Sequence, residues 1–241
     1  MAEAVKLTPE YVEEVFIQRD GGGKRLDQVL KDASASDIRV TFCDKEALFK
    51  ISKTARSQGI AARLKDFDYS AMHDILDALL QTPTKPGFLV VLDHLEDPHN
   101  LGAIARTTEF FGGAGMIIPK VRSASITPGA IKSSAGALAN LPVARVSNIV
   151  STLKQIKRDG VWVVGADPSA AAAIDSADLR GLNIALVLGA EGGGVSRLVK
   201  EGCDFLFSIP RFGEIDSLNA SVAAGIFIYE FATQWRRSSI D

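Results

Sequence analysis

Three short segments hold the residues whose types and spacing could do chemistry. The first is Asp97-Pro98-His99-Asn100-Leu101-Gly102-Ala103-Ile104-Ala105-Arg106. Asn100 is placed to cap a helix N-terminus, and Gly102 and Arg106, four residues apart, share one face of that helix. A glycine one turn below an arginine leaves room for a backbone or a ribose to approach the guanidinium. The same pattern also describes a capped helix with a surface arginine. The second segment is Leu188-Gly189-Ala190-Glu191-Gly192-Gly193-Gly194-Val195-Ser196. A glycine-rich loop between a buried strand and a helix turns backbone N–H groups toward a ligand. It lacks the G-x-G-x-x-G order of a dinucleotide site and the Lys-Ser/Thr pair of a P-loop. Glycines serve ordinary strand-to-helix turns as well. The third segment runs from Ile209-Pro210 to Ser217-Leu218-Asn219-Ala220-Ser221 and sets Ser217, Asn219 and Ser221 at the start of the last helix. Ser217 is placed to cap that helix, and capping does not require all three.

Each segment lies just beyond an apolar run that reads as a strand. In an open parallel sheet, that edge is where ligands bind. From Phe88 onward strand and helix alternate, with strands expected at 88–92, 115–118, 143–146, 161–165, 184–188 and 205–209. Most are continuous apolar runs, which suits strands buried on both faces of a parallel sheet. Helices are expected at 101–111, 149–159 and 196–201. The longest spans 218–235, with Leu218, Val222, Ile226 and Tyr229 as its apolar stripe. Residues 1–65 read as a small α/β unit with strands at 11–17, 38–43 and 60–64. Between the two, residues 66–86 read as a linker with one helix at 71–80, ending in Pro83 and Pro86. The second, larger domain then covers 87–241.

The 241 residues carry 27 Lys+Arg against 29 Asp+Glu, a formal net charge of −2, and are 46% hydrophobic. That composition excludes a disordered chain. Cys43 and Cys203 are far apart and read as reduced packing residues, so no disulfide scaffold is expected. No apolar run approaches the ~20 residues that span a bilayer, and nothing at the N-terminus reads as a signal peptide. A cytoplasmic protein with no membrane association is expected. His94 and His99 lack a partner set, so no metal is expected either.

Taken together, the three segments resemble the motifs of the SpoU/TrmH family of RNA ribose 2′-O-methyltransferases, in the SPOUT class. Asn100-x-Gly102-x-x-x-Arg106 looks like the first motif and Leu188-Gly189-Ala190-Glu191-Gly192 like the second. Ile209-Pro210 with Ser217-Leu218-Asn219-Ala220-Ser221 looks like the third. The resemblance covers roughly residues 88–235, and the joint match is far more specific than any one piece. The Asp97-Pro98-His99-Asn100 entry and the small N-terminal domain look most like the bacterial members that modify a guanosine of large-subunit ribosomal RNA. The resemblance implies a parallel-sheet domain whose C-terminal segment forms a trefoil knot, an S-adenosylmethionine site in the knot, and a homodimer. It implies cofactor contacts at Ala166, Gly189, Gly192, Ile209 and Leu218, and a catalytic group of Arg106, Glu191, Ser217 and Asn219. The N-terminal region resembles the family's small RNA-binding domain, although the usual first helix with a Gly-x-His-Ala-Val start is shortened or missing before Tyr11.

The activity implied is methyl transfer to a ribose 2′-hydroxyl of RNA, ribosomal RNA first. Arg106 stays protonated, so holding a phosphate and stabilising a developing alkoxide suits it better than general-base work. Glu191 is the second candidate, as proton acceptor or as the group that orients Arg106. RNA contacts are expected at Asn100, at the acid-free run Lys50, Lys53, Arg56, Arg63 and Lys65, and at Lys120, Arg122 and Lys132. Residues 1–81 hold 12 basic and 14 acidic residues and 82–241 hold 15 of each, so any grip on RNA is local. The rival readings are a transfer RNA methyltransferase, a non-catalytic RNA binder on the same fold, and a dinucleotide-dependent oxidoreductase. The last is disfavoured by the order of the glycines and the lack of a downstream ribose-binding acid.

Overall fold

The computed structural model describes residues 5, 9–19, 21, 23–52, 57–81, 86–190 and 192–238. Two units emerge, Met1–Asp68 and Tyr69–Asp241.

In the first unit, strands β1 (Val12–Gln18), β2 (Arg39–Cys43) and β3 (Ile60–Leu64) form a sheet in the order β2-β1-β3. β1 runs parallel to β2 and antiparallel to β3. A parallel pair needs a crossover, and helix α1 (Lys24–Ala35) supplies it. Leu26, Val29 and Ala33 of α1 pack on Val15 and Ile17, while helix α2 (Lys45–Ser52) sets Leu48 against Phe16 on the other face. Alternation along β1 therefore serves two small cores, one on each face.

The second unit is built on a six-stranded sheet. Its strands are β4 (Phe88–Leu92), β5 (Met116–Pro119), β6 (Val143–Val146), β7 (Trp162–Ala166), β8 (Ile184–Leu188) and β9 (Phe205–Phe207), in the order β6-β5-β4-β8-β7-β9. Every pairing is parallel. All five residues of β4 and of β8 are buried, so their unbroken apolar runs reflect helices on both faces. Each buried Phe, Leu, Ile or Val side chain among them contributes on the order of 1.5–3 kcal/mol. The helices are α3 (Met72–Leu80), α4 (Pro98–Phe110), α5 (Pro128–Ser134), α6 (Ile149–Arg158), α7 (Arg197–Lys200) and α8 (Ala220–Ser238). Phe227, Ile228 and Phe231 of α8 are fully buried, and Trp235 meets Phe88 at a centroid distance of 6.1 Å.

Several expectations are corrected. The helix expected inside a linker is α3, and it belongs to the second unit: Ile75, Leu76 and Leu79 are buried with Leu89, Val91 and Ile117 in one core. Its apolar stripe, not the prolines after it, decides its place. α8 begins two residues later than expected, because the exposed stretch 211–219 before it has no helical structure. α5 was missed altogether. Its seven residues are too short for a periodic stripe, yet Thr127 accepts a hydrogen bond from Ala130 N–H and Pro128 occupies the first turn, a readable start signal. Cys43 and Cys203 are free thiols. Burial and the neighbouring Asp204 push the Cys203 thiol up to about 12.

Candidate functional site

The carboxyl ends of β7, β8 and β9 open into a cavity of about 740 Å³, within the usual size of a small-molecule site. Residues from three stretches line it: 166–169 after β7, Leu188, Gly189, Ala190, Gly192 and Gly194 after β8, and 207–218 after β9. Ala166, Gly189, Gly192, Ile209 and Leu218, expected as cofactor contacts from separate segments, all line it, as does Ser217. Phe207 and Phe227 complete an apolar wall.

The glycines earn their places by different means. A Cβ on Gly189 would sit 1.8 Å from the carbonyl oxygen of Gly194, so the loop can fold back on its own strand only at a glycine. That fold-back is held by the Gly194 N–H to Ala190 carbonyl bond of 3.1 Å. Gly192 and Gly194 have φ of +74° and +62°, the left-handed region that favours glycine. Glu191 lies outside the described residues.

Asn219 joins the cavity to the first motif. Its Nδ2 donates to Asn100 Oδ1 at 2.9 Å. Its own Oδ1 accepts from Ser221 N–H at 2.9 Å and Ser221 Oγ at 2.6 Å. The Asn219 carbonyl takes the first bond of α8 from Ala223 N–H. Asn219 is thus the cap of α8, the role expected of Ser217, which stands exposed on the cavity wall instead.

The first motif is corrected in the same way. The cap of α4 lies three residues earlier than expected: Asp97 accepts from His99 N–H at 2.9 Å and Pro98 follows at the first position. Asn100 is buried inside the first turn, 5% exposed, and its oxygen faces Asn219. Gly102 does not clear space for a ribose. A Cβ there would lie 2.1 Å from Ser133 Oγ and 2.2 Å from the Ala130 carbonyl oxygen, so the glycine permits the close crossing of α4 and α5. Arg106 is exposed and forms no ion pair among the described residues.

The expected RNA-facing cations divide. Lys50 and Lys65 are exposed in the first unit, and Lys53 and Arg56 lie outside the described residues. Arg63 is committed internally: it donates to Glu14 Oε2 at 3.1 Å and lies 5.2 Å above the Phe16 ring. The acid-free run in sequence meets an acid in space. In the second unit Lys120 and Arg122 are exposed just beyond β5, and Lys132 is exposed in the last turn of α5. Arg145, which sequence reasoning missed, joins them. Its guanidinium lies 5.0 Å from the centre of the Tyr69 ring and donates to the Lys120 carbonyl at 2.9 Å.

Asp93 and Asp167 were missed too. Both follow directly on buried strands and are themselves buried, at 1% and 4% exposure. An acid abutting an apolar run was the available signal. Burial alone would raise the Asp167 carboxyl, but Lys200 and Ser169 outweigh it and hold it below the ordinary value. Among the described residues no three His, Cys, Asp or Glu side chains gather as a metal would need. No helix of the described residues is long and apolar enough to cross a membrane.

Fold and cavity together define an α/β protein with an all-parallel sheet and a small-molecule cleft at its carboxyl edge. Residues 87–229 match the SpoU rRNA Methylase family, and residues 2–70 match RNA 2′-O ribose methyltransferase substrate binding. The chain belongs to the SpoU rRNA methylase family. It is 37% identical over 223 residues to the 23S rRNA (guanosine-2′-O-)-methyltransferase RlmB of Nitrosomonas europaea, covering 92% of this chain and 84% of that one. It is 44% identical over 214 residues to an uncharacterized tRNA/rRNA methyltransferase of Mycobacterium marinum, covering 88% and 68%. Among solved structures, the AdoMet-bound rRNA methyltransferase from Sinorhizobium meliloti shares the fold with a TM-score of 0.68 at 22% identity, covering 96% of this chain and 82% of that one. The SpoU methyltransferase AviRb from Streptomyces viridochromogenes with AdoMet does so with a TM-score of 0.68 at 24% identity, covering 99% and 89%.

Proposed function

We propose that this protein transfers a methyl group from S-adenosylmethionine to a ribose 2′-hydroxyl of RNA, with ribosomal RNA as its substrate. One observation carries the reading: five residues chosen from three separate segments as cofactor contacts line a single cavity. The cavity also fits the group. Open backbone at Gly189, Ile209 and Leu218 can meet a polar ligand, and Phe207 and Phe227 offer an apolar surface for a purine. S-adenosylmethionine supplies a methyl already activated on a sulfonium, so this chain needs no metal ligand and no covalent nucleophile.

What the protein supplies is alignment, worth on the order of 7–11 kcal/mol in favourable cases, and management of the hydroxyl proton and charge. Arg106, exposed and without an ion pair among the described residues, holds the neighbouring phosphate and stabilises the developing alkoxide. Glu191 accepts the proton or orients Arg106. Asn219 and Ser217 carry the approach to the ribose, with Asn219 held against Asn100.

The C-terminal trefoil knot belongs to this reading. β9 is the sheet's edge strand next to β7, yet Asn219 bonds to α4, which follows β4. Segment 208–219 must therefore return across the ends of β7 and β8, the route a knotted chain takes. A homodimer is supported by exposed apolar side chains on α4 and α8, namely Phe110, Val222 and Tyr229. Residues 1–68 hold the RNA, with Lys50 and Lys65 outward, and Lys120, Arg122, Lys132 and Arg145 guide phosphates toward the cleft. Such contacts make binding salt-dependent. The protein works in the cytoplasm.

Calorimetric titration with S-adenosylmethionine and with NAD tests the reading, followed by methyl incorporation into ribosomal and transfer RNA. Binding of the methyl donor alone and ribose methylation of ribosomal RNA are expected. A chain that ignores the methyl donor is not this enzyme, and preferential methylation of transfer RNA would move the substrate.

A further inference from the structure

The function proposed above makes no use of the two carboxylates buried beside β8. The strand order places β8 between β4 and β7, and an aspartate follows each flanking strand: Asp93 after β4, Asp167 after β7. The loop that leaves β8 carries the cofactor-contact glycines, so both carboxylates sit at its base.

Asp93 holds both ends of that loop. Its backbone N–H donates to the Leu188 carbonyl at 2.7 Å, where the loop begins. Its Oδ2 accepts the Ser196 N–H at 2.8 Å, where the loop ends. Its Oδ1 meets His94 Nδ1 at 2.6 Å, so both carboxylate oxygens are engaged. Asp167 works from the other side. Its Oδ1 accepts from Ser169 N–H at 2.9 Å and Ser169 Oγ at 2.8 Å, which shapes the cavity floor. Its Oδ2 pairs with Lys200 of α7, the helix that the loop enters. Gly194 rests on this floor: a Cβ there would lie 3.1 Å from Pro168 Cδ and 3.6 Å from Asp167 Oδ1.

We propose that Asp93 and Asp167 are positioning residues for the methyl donor, Asp93 by clamping the two ends of the glycine loop and Asp167 by fixing the floor and helix against which the loop lies. A loop of consecutive glycines has many conformations in the unliganded chain, and a clamp that selects one lowers the ordering cost of binding. The proposal rests on the reading of this cavity as the S-adenosylmethionine site.

The full chain is titrated calorimetrically with S-adenosylmethionine, and amide hydrogen exchange is followed across residues 192–196. Asp93→Ala leaves the Ser196 N–H without its carboxylate acceptor and frees the end of the loop, so affinity should fall about tenfold or more and exchange at 192–196 should rise. Asp93→Asn keeps an oxygen in place and should hold affinity within about threefold with exchange unchanged. Asp167→Ala should weaken affinity similarly, with Asp167→Asn intermediate because the Lys200 pair is lost. If Asp93→Ala does not fold, Ser196→Pro removes the same N–H from the other side. Ser196 has φ of −63°, the value proline prefers, and the same loss is expected. Full affinity in Asp93→Ala or Ser196→Pro overturns the clamp, and so does equal weakening by Asp93→Asn and Asp93→Ala. Wild-type chain that does not bind the methyl donor overturns the site reading instead. The exchange comparison still decides whether Asp93 orders the loop.

Discussion

Asn219 Nδ2 donates to Asn100 Oδ1 at 2.9 Å, a contact between residues 119 apart in sequence. It fastens the start of the last helix to the start of α4, and so ties the segment that walls the cavity to the arginine-bearing helix. The same side chain caps α8 through Ser221. Asn219→Ala should therefore cost about 1 kcal/mol of stability from the lost cap. It should cost methyl transfer far more, on the order of 10²-fold, the scale expected when a reacting group is misplaced by ~1 Å. Urea denaturation beside single-turnover methylation separates the two losses.

Arg106 gives the opposite profile. It is exposed and pairs with no described residue, so Arg106→Ala should change stability by less than about 0.5 kcal/mol. Methyl transfer should be abolished while affinity for S-adenosylmethionine stays near wild type. An active Arg106→Ala enzyme would remove the arginine from the mechanism.

Two glycines should respond differently to the same added methyl. Gly102→Ala drives a Cβ against Ser133 and the Ala130 carbonyl at a helix crossing, and Gly189→Ala drives one into the backbone of Gly194. Each should destabilise by about 1–3 kcal/mol, the usual cost of overpacking. Gly189→Ala alone should also abolish calorimetric binding of the methyl donor, because only its loop lines the cavity.

The Lys200–Asp167 pair predicts a pH dependence. The Asp167 carboxyl lies below its ordinary value because Lys200 and Ser169 outweigh the effect of burial. A carboxyl depressed in the folded state contributes stability above its unfolded pKa of ~3.9 and loses it as pH falls through the folded value. Lys200→Met should lower stability by about 3 kcal/mol near neutral pH, the scale of breaking a buried pair. The gap between wild type and variant should close as pH falls below ~4. Urea midpoints measured across that range check it. A gap that widens toward acid would reverse the assigned sign.

Cys203 offers a simple test of packing. Its thiol is pushed up to about 12, by burial first and Asp204 second. At pH 8 the thiolate fraction is on the order of 10⁻⁴, so iodoacetamide should leave Cys203 unmodified in the folded chain and label it in urea. Rapid labelling of folded protein would place the thiol in solvent.

By itself the sequence determined much of this protein. Unbroken apolar runs such as 88–92 and 184–188, spaced by helical segments, suit strands covered on both faces, so the parallel sheet was legible locally. The glycine loop and the third segment were legible as ligand-facing because they follow those strands. What depended on distant contacts was not. Asn100 and Asn219 each look like caps in their own windows, and only the return of 208–219 across the sheet makes them partners. Arg63 belongs to an acid-free run along the chain, yet the antiparallel pairing of β1 and β3 brings it to Glu14. Asp93 and Asp167 became neighbours of one loop only because β8 inserts between β4 and β7. Periodicity and caps report on neighbours a few residues away, and strand order decides which distant side chains share a cavity.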